Sequence, residues 1–244
     1  MERLGMDRQD FFASLRKSKA VFGTSLSAAQ VSGTEALLDA CAANDIADAH
    51  HVANILAQCY HETAGAMQPI KETVMRHHKD KNPSDATVIA RLDRAFARGQ
   101  LPWVKAPYWR DGWFGRGFIQ LTHKRNYDRF GIGKDDALDL GVAARVAVVG
   151  MRDGMFTGRR LADYSFPDAL TLPPAQNPRR IVNGTDGTDA TIAGHHRAFY
   201  AAIEAGGGWA IRPTEPVTET PKREHENGLA ALLARLLAWI GGRA

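Results

Sequence analysis

Three features of this sequence predict a mainly α-helical fold. Apolar residues recur at spacings of three and four across residues 7–16, 48–62, 84–96 and 188–203, the period of one buried helix face. Ser27, Thr34 and Ser84 stand where N-caps are expected, and Gly65 and Gly99 where helices should stop. With 44% hydrophobic and 24% charged residues over 244 positions, the chain has enough apolar material to bury a full core and is not of disordered composition.

Each element has its own justification. In residues 7–16, Phe11, Phe12 and Leu15 share one face of a short helix. Ser27 is an N-cap for a turn leading to Val31, and Thr34 caps a second helix carrying Ala36, Leu37, Leu38 and Cys41. Residues 48–62 place Val52, Ile55, Leu56 and Cys59 in one stripe, Gly65 offers the stop, and Glu62 falls in the last turn. The chain then turns basic and irregular through Arg76-His77-His78-Lys79-Asp80-Lys81-Asn82-Pro83. Ser84 caps a helix whose stripe is Val88, Ile89, Leu92, Ala95 and Phe96, with Gly99 as its end. Pro102, Trp103, Pro107, Tyr108, Trp109 and Trp113 form an aromatic cluster that either lines a groove or packs in the core; for any single ring the core is favoured. A last helix over 188–203 buries Ile192, Phe199 and Ile203, and Gly206-Gly207-Gly208 marks its end.

Residues 1–210 are read as one domain. The Pro- and Thr-containing stretch 211–224 reads as a linker, and 225–244 as a short apolar helix. Residues 229–240 are too few to span a bilayer core of about 30 Å. Docking on the first domain or self-association is the plainer reading of this helix. Weak interfacial contact with lipid, with Arg235, Trp239 and Arg243 near headgroups, is the sharper one.

A net charge of +4 suits an anionic partner such as a bacterial envelope, and by itself would equally suit nucleic acid. No nucleotide-binding glycine loop or nucleic-acid motif is evident. The only two cysteines, Cys41 and Cys59, sit in apolar helical stretches and read as small core residues, not as a disulfide or a nucleophile. The opening residues lack an apolar run of signal-peptide length, so synthesis in a reducing cytoplasm is expected.

Three segments carry chemistry. In His61-Glu62-Thr63 the acid stands at a helix C-terminus among apolar neighbours, and both effects push a carboxyl pKa upward, as a proton donor needs. A solvated helix-end charge is the other reading, although Lys or Arg would suit that position better. Gly115-Arg116-Gly117 implies close backbone approach or unusual dihedrals on both sides of a planar cation. After it, Phe118, Ile119 and Leu121 point inward, while Gln120, Thr122 and Asn126 supply interleaved polar groups. Asn183-Gly184 reads as a turn.

In this order, His61-Glu62-Thr63, the run Phe114-Gly115-Arg116-Gly117-Phe118-Ile119-Gln120-Leu121-Thr122-His123 with Asn126-Tyr127, and Ile181-Val182-Asn183-Gly184 resemble glycoside hydrolase family 19. That family holds plant-type chitinases and lysozyme-like phage endolysins; the resemblance spans residues 49–200 and is closest to the phage branch. It implies a mainly α-helical, two-lobed, lysozyme-like fold with a substrate groove between the lobes. It implies Glu62 as general acid, Glu72 in Ile70-Lys71-Glu72-Thr73 as the carboxylate that activates water, and Thr122 as the hydroxyl that helps hold that water. Gln120, Asn126 and Asn183 match groove residues, Arg116 matches an arginine that braces the acid, and His61 and Trp113 are taken with them as substrate-binding.

An inverting glycosidase needs its two carboxylates roughly 6.5–9.5 Å apart. On one straight helix Glu62 and Glu72 would stand about 15 Å apart, so the chain must turn back between them, at Gly65 and Pro69. The resemblance thus implies hydrolysis of peptidoglycan glycan strands by an inverting acid/base mechanism, without cofactor or metal. It also implies an endolysin held in the cytoplasm, favoured as a monomer, and acting at the wall after release. Chitin is the alternative substrate. From other classes, a zinc peptidase using His50, His51, His61, His77 and His78 lacks any known ligand spacing. A non-catalytic wall-binding protein would not need Glu62, Glu72 and Thr122 together.

Overall fold

The clearest apolar stripe lies at the centre of the fold. The structure, a computed structural model, describes residues 6–23, 25–73, 80 and 82–210, among which are seven α-helices and one two-stranded ladder. The helices are α1 (Arg8–Lys17), α2 (Ala28–Ala43), α3 (Ala49–Glu62), α4 (Asp85–Ala97), α5 (Lys124–Phe130), α6 (Leu140–Asp153) and α7 (Asp189–Ala205). Strands β1 (Ile70–Lys71) and β2 (Arg116–Gly117) pair antiparallel, Ile70 opposite Gly117 and Lys71 opposite Arg116.

α3 buries every residue from Val52 to Cys59, so it is covered on all sides: α7 packs along it, α1 backs α7, and α2 lies between α3 and α6. Phe11, Leu15, Leu37, Leu38, Ile55, Leu56, Phe199 and Ile203 make the main core. Two smaller clusters stand beside it. Leu121, Tyr127, Phe130, Ala137 and Val146 form one; Val88, Leu92, Trp109 and Phe114 form the other, under α4. Cys41 and Cys59 are free, fully buried thiols, and burial pushes both above the ordinary thiol range.

Ser27 and Ser84 cap helices as the sequence predicts, and Asp7 and Asp48 do so as well. Asp7, Ser27, Asp48 and Ser84 each accept a backbone N–H in the first turn of α1, α2, α3 and α4. One expectation fails. Thr34 does not open a second helix: α2 runs unbroken from Ala28, because Ser27 and Gln30 form a reciprocal capping box that already satisfies its start. Thr34 is buried inside the helix, and its hydroxyl donates back to Gln30 O at 2.8 Å. The aromatic cluster also divides. Trp109 is fully buried, Tyr108 and Trp113 are half-buried, and Trp103 is 74% exposed, against the expectation of core packing. The linker expected at 211–224 and the apolar helix at 225–244 lie outside the described residues. Among those described, no helix is long and apolar enough to cross a membrane.

α3 and α7 meet at one end through near-parallel rings. His50 stacks on Tyr200 at 3.9 Å, and its Nδ1 lies 3.2 Å from His196 Nε2, whose other face meets Phe166. Burial, reinforced by His50 and Arg197, pushes the His196 imidazole down to about 3. An unfolded histidine titrates near 6.5. Between those values the unfolded chain binds a proton that the folded chain does not. The stability from neutral His196 is therefore fully present above pH 6.5 and is lost as pH falls. Denaturant unfolding at pH 7 and pH 5 should show a loss of about 2 kcal/mol from this group. His196→Phe, which keeps a ring in the stack, should flatten that pH dependence; equal slopes for the two proteins would refute the assignment.

Candidate active site

Glu62 closes α3. Thr63 caps the helix, its hydroxyl donating to Cys59 O at 2.8 Å, and the next residues take left-handed conformations at Ala64, Gly65 and Met67. The chain thereby leaves the helix axis directly after the acid. Glu62 Oε1 lies 2.7 Å from Arg179 Nη2, and both side chains are largely buried. Arg179 projects from a single 3-10 turn, Pro178–Ile181, capped by Asn177. It also donates to Asp186 Oδ2 from Nη2 at 2.6 Å and from Nε at 3.0 Å, and to Gln58 Oε1 from Nη1 at 2.9 Å. Gln58, one turn before Glu62 on α3, returns a bond to Pro178 O.

Burial disfavours the Arg179 charge, but Asp186 and Glu62 outweigh it and hold the guanidinium more firmly protonated. Burial likewise works against the Asp186 carboxylate. Hydrogen bonds from Arg179 and from Thr188 prevail and hold it well below the usual range.

Glu72 follows β1 and is fixed by a different set of donors. Its backbone N–H donates to Gly115 O at 2.7 Å, Gly115 N–H donates to its Oε2 at 2.8 Å, and the Tyr108 hydroxyl donates to its Oε1 at 2.6 Å. Burial and the neighbouring Glu72 charge push the Tyr108 phenol far above its ordinary value, so it remains a donor. Among the described residues each carboxylate oxygen accepts one hydrogen bond. The two glycines around Arg116 serve different ends. A Cβ at Gly115 would stand 2.7 Å from Gln120 Oε1 and 3.3 Å from Glu72 Oε2, whereas Gly117 has φ of +104°.

Arg116 differs from its expected place. It is fully buried and does not touch Glu62. Its Nη2 pairs with Asp85 at 2.7 Å, its Nη1 donates to Gly112 O and Phe114 O, and its guanidinium lies 3.8 Å over the Phe114 ring. With no exposed surface it cannot meet a substrate directly, and the cation beside the acid is Arg179. Asp85, also paired with Lys71 at 2.9 Å, is held below its ordinary value because these two cations outweigh its burial.

The remaining expected residues fall into the two settings. His61 is half-buried beside Glu62, and burial together with the Arg179 charge lowers its proton affinity. Asn183 donates to Asp186 Oδ2 at 3.2 Å and accepts from Gly184 N–H at 2.8 Å, which places it at the far side of the Arg179 network. Gln120 packs against Gly115, and its Nε2 is buried with no hydrogen-bond partner among the described residues. Thr122 accepts at its carbonyl from Asn126 Nδ2 at 2.7 Å. It lines an open pocket of about 470 Å³ with Trp103, Val104, Lys105, Ala106, Pro107, Tyr108 and His123. Trp113 is half-buried, edge-on to Tyr127, with Lys134 Nζ 4.6 Å from its ring. No direct hydrogen bond or ion pair among the described residues joins Glu62 to Glu72, Thr122 or Arg116.

The chain matches no protein-family model, curated protein or solved structure. What the site can do therefore rests on its own chemistry. Two carboxylates stand on separate elements, one against a cation and one against neutral donors, and Gln120 Nε2, near the second, has no hydrogen-bond partner among the described residues. Among the described residues no three His, Cys, Asp or Glu side chains converge as metal ligands; His77 and His78 lie outside those residues.

Residues that the sequence reading missed are Arg179, Asp186, Gln58 and Asp85 as site-builders, and Tyr108 as a donor. Arg179 was legible only as part of a basic stretch ahead of Asn183-Gly184; its partners on α3, Glu62 and Gln58, lie 117 and 121 positions back along the chain.

The turn joining the two acids is seated on α2. A Cβ at Gly33 would stand 1.6 Å from Met67 O, while Gln30 Nε2 donates to Gly65 O and Gln68 Nε2 to Ala29 O. Gly33→Ala should therefore displace this turn and cost about 1–3 kcal/mol in denaturant unfolding; an unchanged midpoint would exclude the contact. Asp85→Asn should cost about 1–3 kcal/mol by leaving the buried Arg116 guanidinium without a charged acceptor. A double variant with Arg116→Met should recover part of that loss.

Proposed function

We propose that the protein is a glycoside hydrolase that cuts the glycan strands of peptidoglycan with inversion of configuration, in a groove of a two-lobed, lysozyme-like fold. The observation that carries this reading is the unlike setting of two carboxylates: Glu62 at the end of α3 against Arg179, and Glu72 held by Tyr108 and Gly115. Separate environments for two acids are what assign one as donor and the other as acceptor of a proton.

In the proposed reaction the protonated form of Glu62 acts, its carboxyl positioned by Arg179, which also meets Asp186 through two nitrogens. Glu62 donates its proton to the glycosidic oxygen as the bond from that oxygen to the anomeric carbon breaks. Glu72 accepts a proton from a water held with the help of the Thr122 hydroxyl, and that water attacks the anomeric carbon from the opposite face. One bond is broken and one formed, and the two acids exchange protonation states, which solvent resets. Asn126, Asn183, Gln120, His61 and Trp113 are the proposed groove residues. Arg116 acts from the interior, by shaping the backbone that holds Glu72. Chitin has the same bond to be cut, and the same chemistry would serve it.

Glu62→Gln and Glu72→Gln should each lower reducing-end release from purified peptidoglycan by roughly 10²–10⁴-fold, with the circular dichroism spectrum of the folded protein unchanged. Wild-type turnover by either variant would reject that residue's role. Retained anomeric configuration in the first product, read by NMR, would reject inversion. Absence of glycan cleavage on both peptidoglycan and chitooligosaccharides would reject the hydrolase.

A further inference from the structure

Trp103 is the most exposed large apolar side chain among the described residues, at 74%. A lone exposed ring is ordinary on a protein surface. This one stands in a concave setting whose other walls are Tyr108 and Thr122, and Tyr108 touches Glu72 directly. The pocket, about 470 Å³, falls within the range of small-ligand sites. Pro102 and Pro107 fix φ on either side of the ring, and a turn closes between Val104 N–H and Leu101 O at 3.0 Å. The ring is thus presented by a stiffened loop, which lowers the cost of ordering it around a ligand.

The polar lining has one sign. Lys105 is exposed on the same wall, takes part in no ion pair among the described residues, and no acidic side chain lines the pocket. A flat apolar face beside an unpaired cation fits a sugar ring that bears a carboxylate. Chitin carries no ionised group. The muramyl sugars of peptidoglycan carry peptide stems that end in carboxylates.

We infer that this pocket is a subsite for a stem-bearing muramyl sugar, with Trp103 stacking on the saccharide and Lys105 pairing with a stem carboxylate. This deepens, and rests on, the peptidoglycan reading of the neighbouring site, and it gives that reading a residue that separates peptidoglycan from chitin.

The test is calorimetric binding to the full chain of three ligands: a disaccharide-tetrapeptide muropeptide, the same molecule with its stem carboxylates converted to amides, and diacetylchitobiose. Wild type should bind the free-acid muropeptide about fivefold tighter than its amide, the ceiling for an exposed ion pair. Lys105→Gln should erase that ratio and Lys105→Arg should keep it. Trp103→Ala should weaken all three ligands by up to about tenfold. Equal binding of acid and amide by wild type, a ratio that survives Lys105→Gln, or full affinity in Trp103→Ala overturns the subsite. Binding is read without turnover, so a chain that cuts no glycan would sink the hydrolase while leaving this measurement to decide the pocket.

Discussion

A guanidinium with no exposed surface must find its acceptors inside the protein, and Arg116 sets the shape of the Glu72 side of the molecule for that reason. Its two terminal nitrogens find Asp85 at the first turn of α4 and the carbonyls of Gly112 and Phe114, while its own backbone bridges to Leu121. The cation therefore ties α4, the glycine-rich segment and the start of the α5 cluster to one point. An ion pair of this kind contributes little net stability once desolvation is counted, but removing one partner is costly. Its effect is to select one backbone path. Along that path Gly115 is brought against Glu72 closely enough that both of its backbone groups bond to the residue.

The other carboxylate answers to a separate constraint. Glu62 depends on Arg179, which is held by Asp186 on one side and Gln58 on the other, all within the framework of α3, the Pro178–Ile181 turn and α7. The sequence places an arginine next to a glycine-flanked motif and another in a plain basic stretch, and the first looks like the functional one. The structure assigns the cation at Glu62 to the second. Glycines around an arginine signal backbone crowding, and crowding at Gly115 concerns Gln120 and Glu72, not the acid on α3.

What could be read from the chain was local. The stripes of α1, α3, α4 and α7 and the caps Ser27 and Ser84 were legible because a helix buries residues three and four apart and needs a side-chain acceptor for its first N–H groups. Thr34 misled because a hydroxyl residue before an apolar run looks like a cap, whereas here it bonds back within a helix that Ser27 had already opened. The ladder β1–β2 has two residues per strand, too short for any alternation to register. Tyr108 and Asp85 were not legible as site-builders because their partners Glu72 and Arg116 lie 36 and 31 positions away, and Arg179 because Gln58, its partner on α3, lies 121 positions back. Trp103 escaped for the opposite reason: an exposed ring and a buried one have the same sequence signature.

These two settings share no hydrogen bond between their acids, so the relation of Glu62 to Glu72 is carried by the chain that joins them. That chain leaves α3 through three left-handed residues and lies against Gly33 so closely that no side chain fits beneath it. Left-handed backbone at Ala64 and Met67 is unfavourable for residues with a Cβ, and persists only where surrounding contacts over-determine it. Here Thr63 Oγ1 accepts from Met67 N–H, and Gln30 and Gln68 staple the turn to α2 from both directions. The first acid is thus anchored in the main core and the second in the smaller clusters, and the spacing between them is set by a short turn held in a strained form on α2. Two carboxylates related in this way can be moved relative to each other by changing what lies under the turn, without touching either side chain.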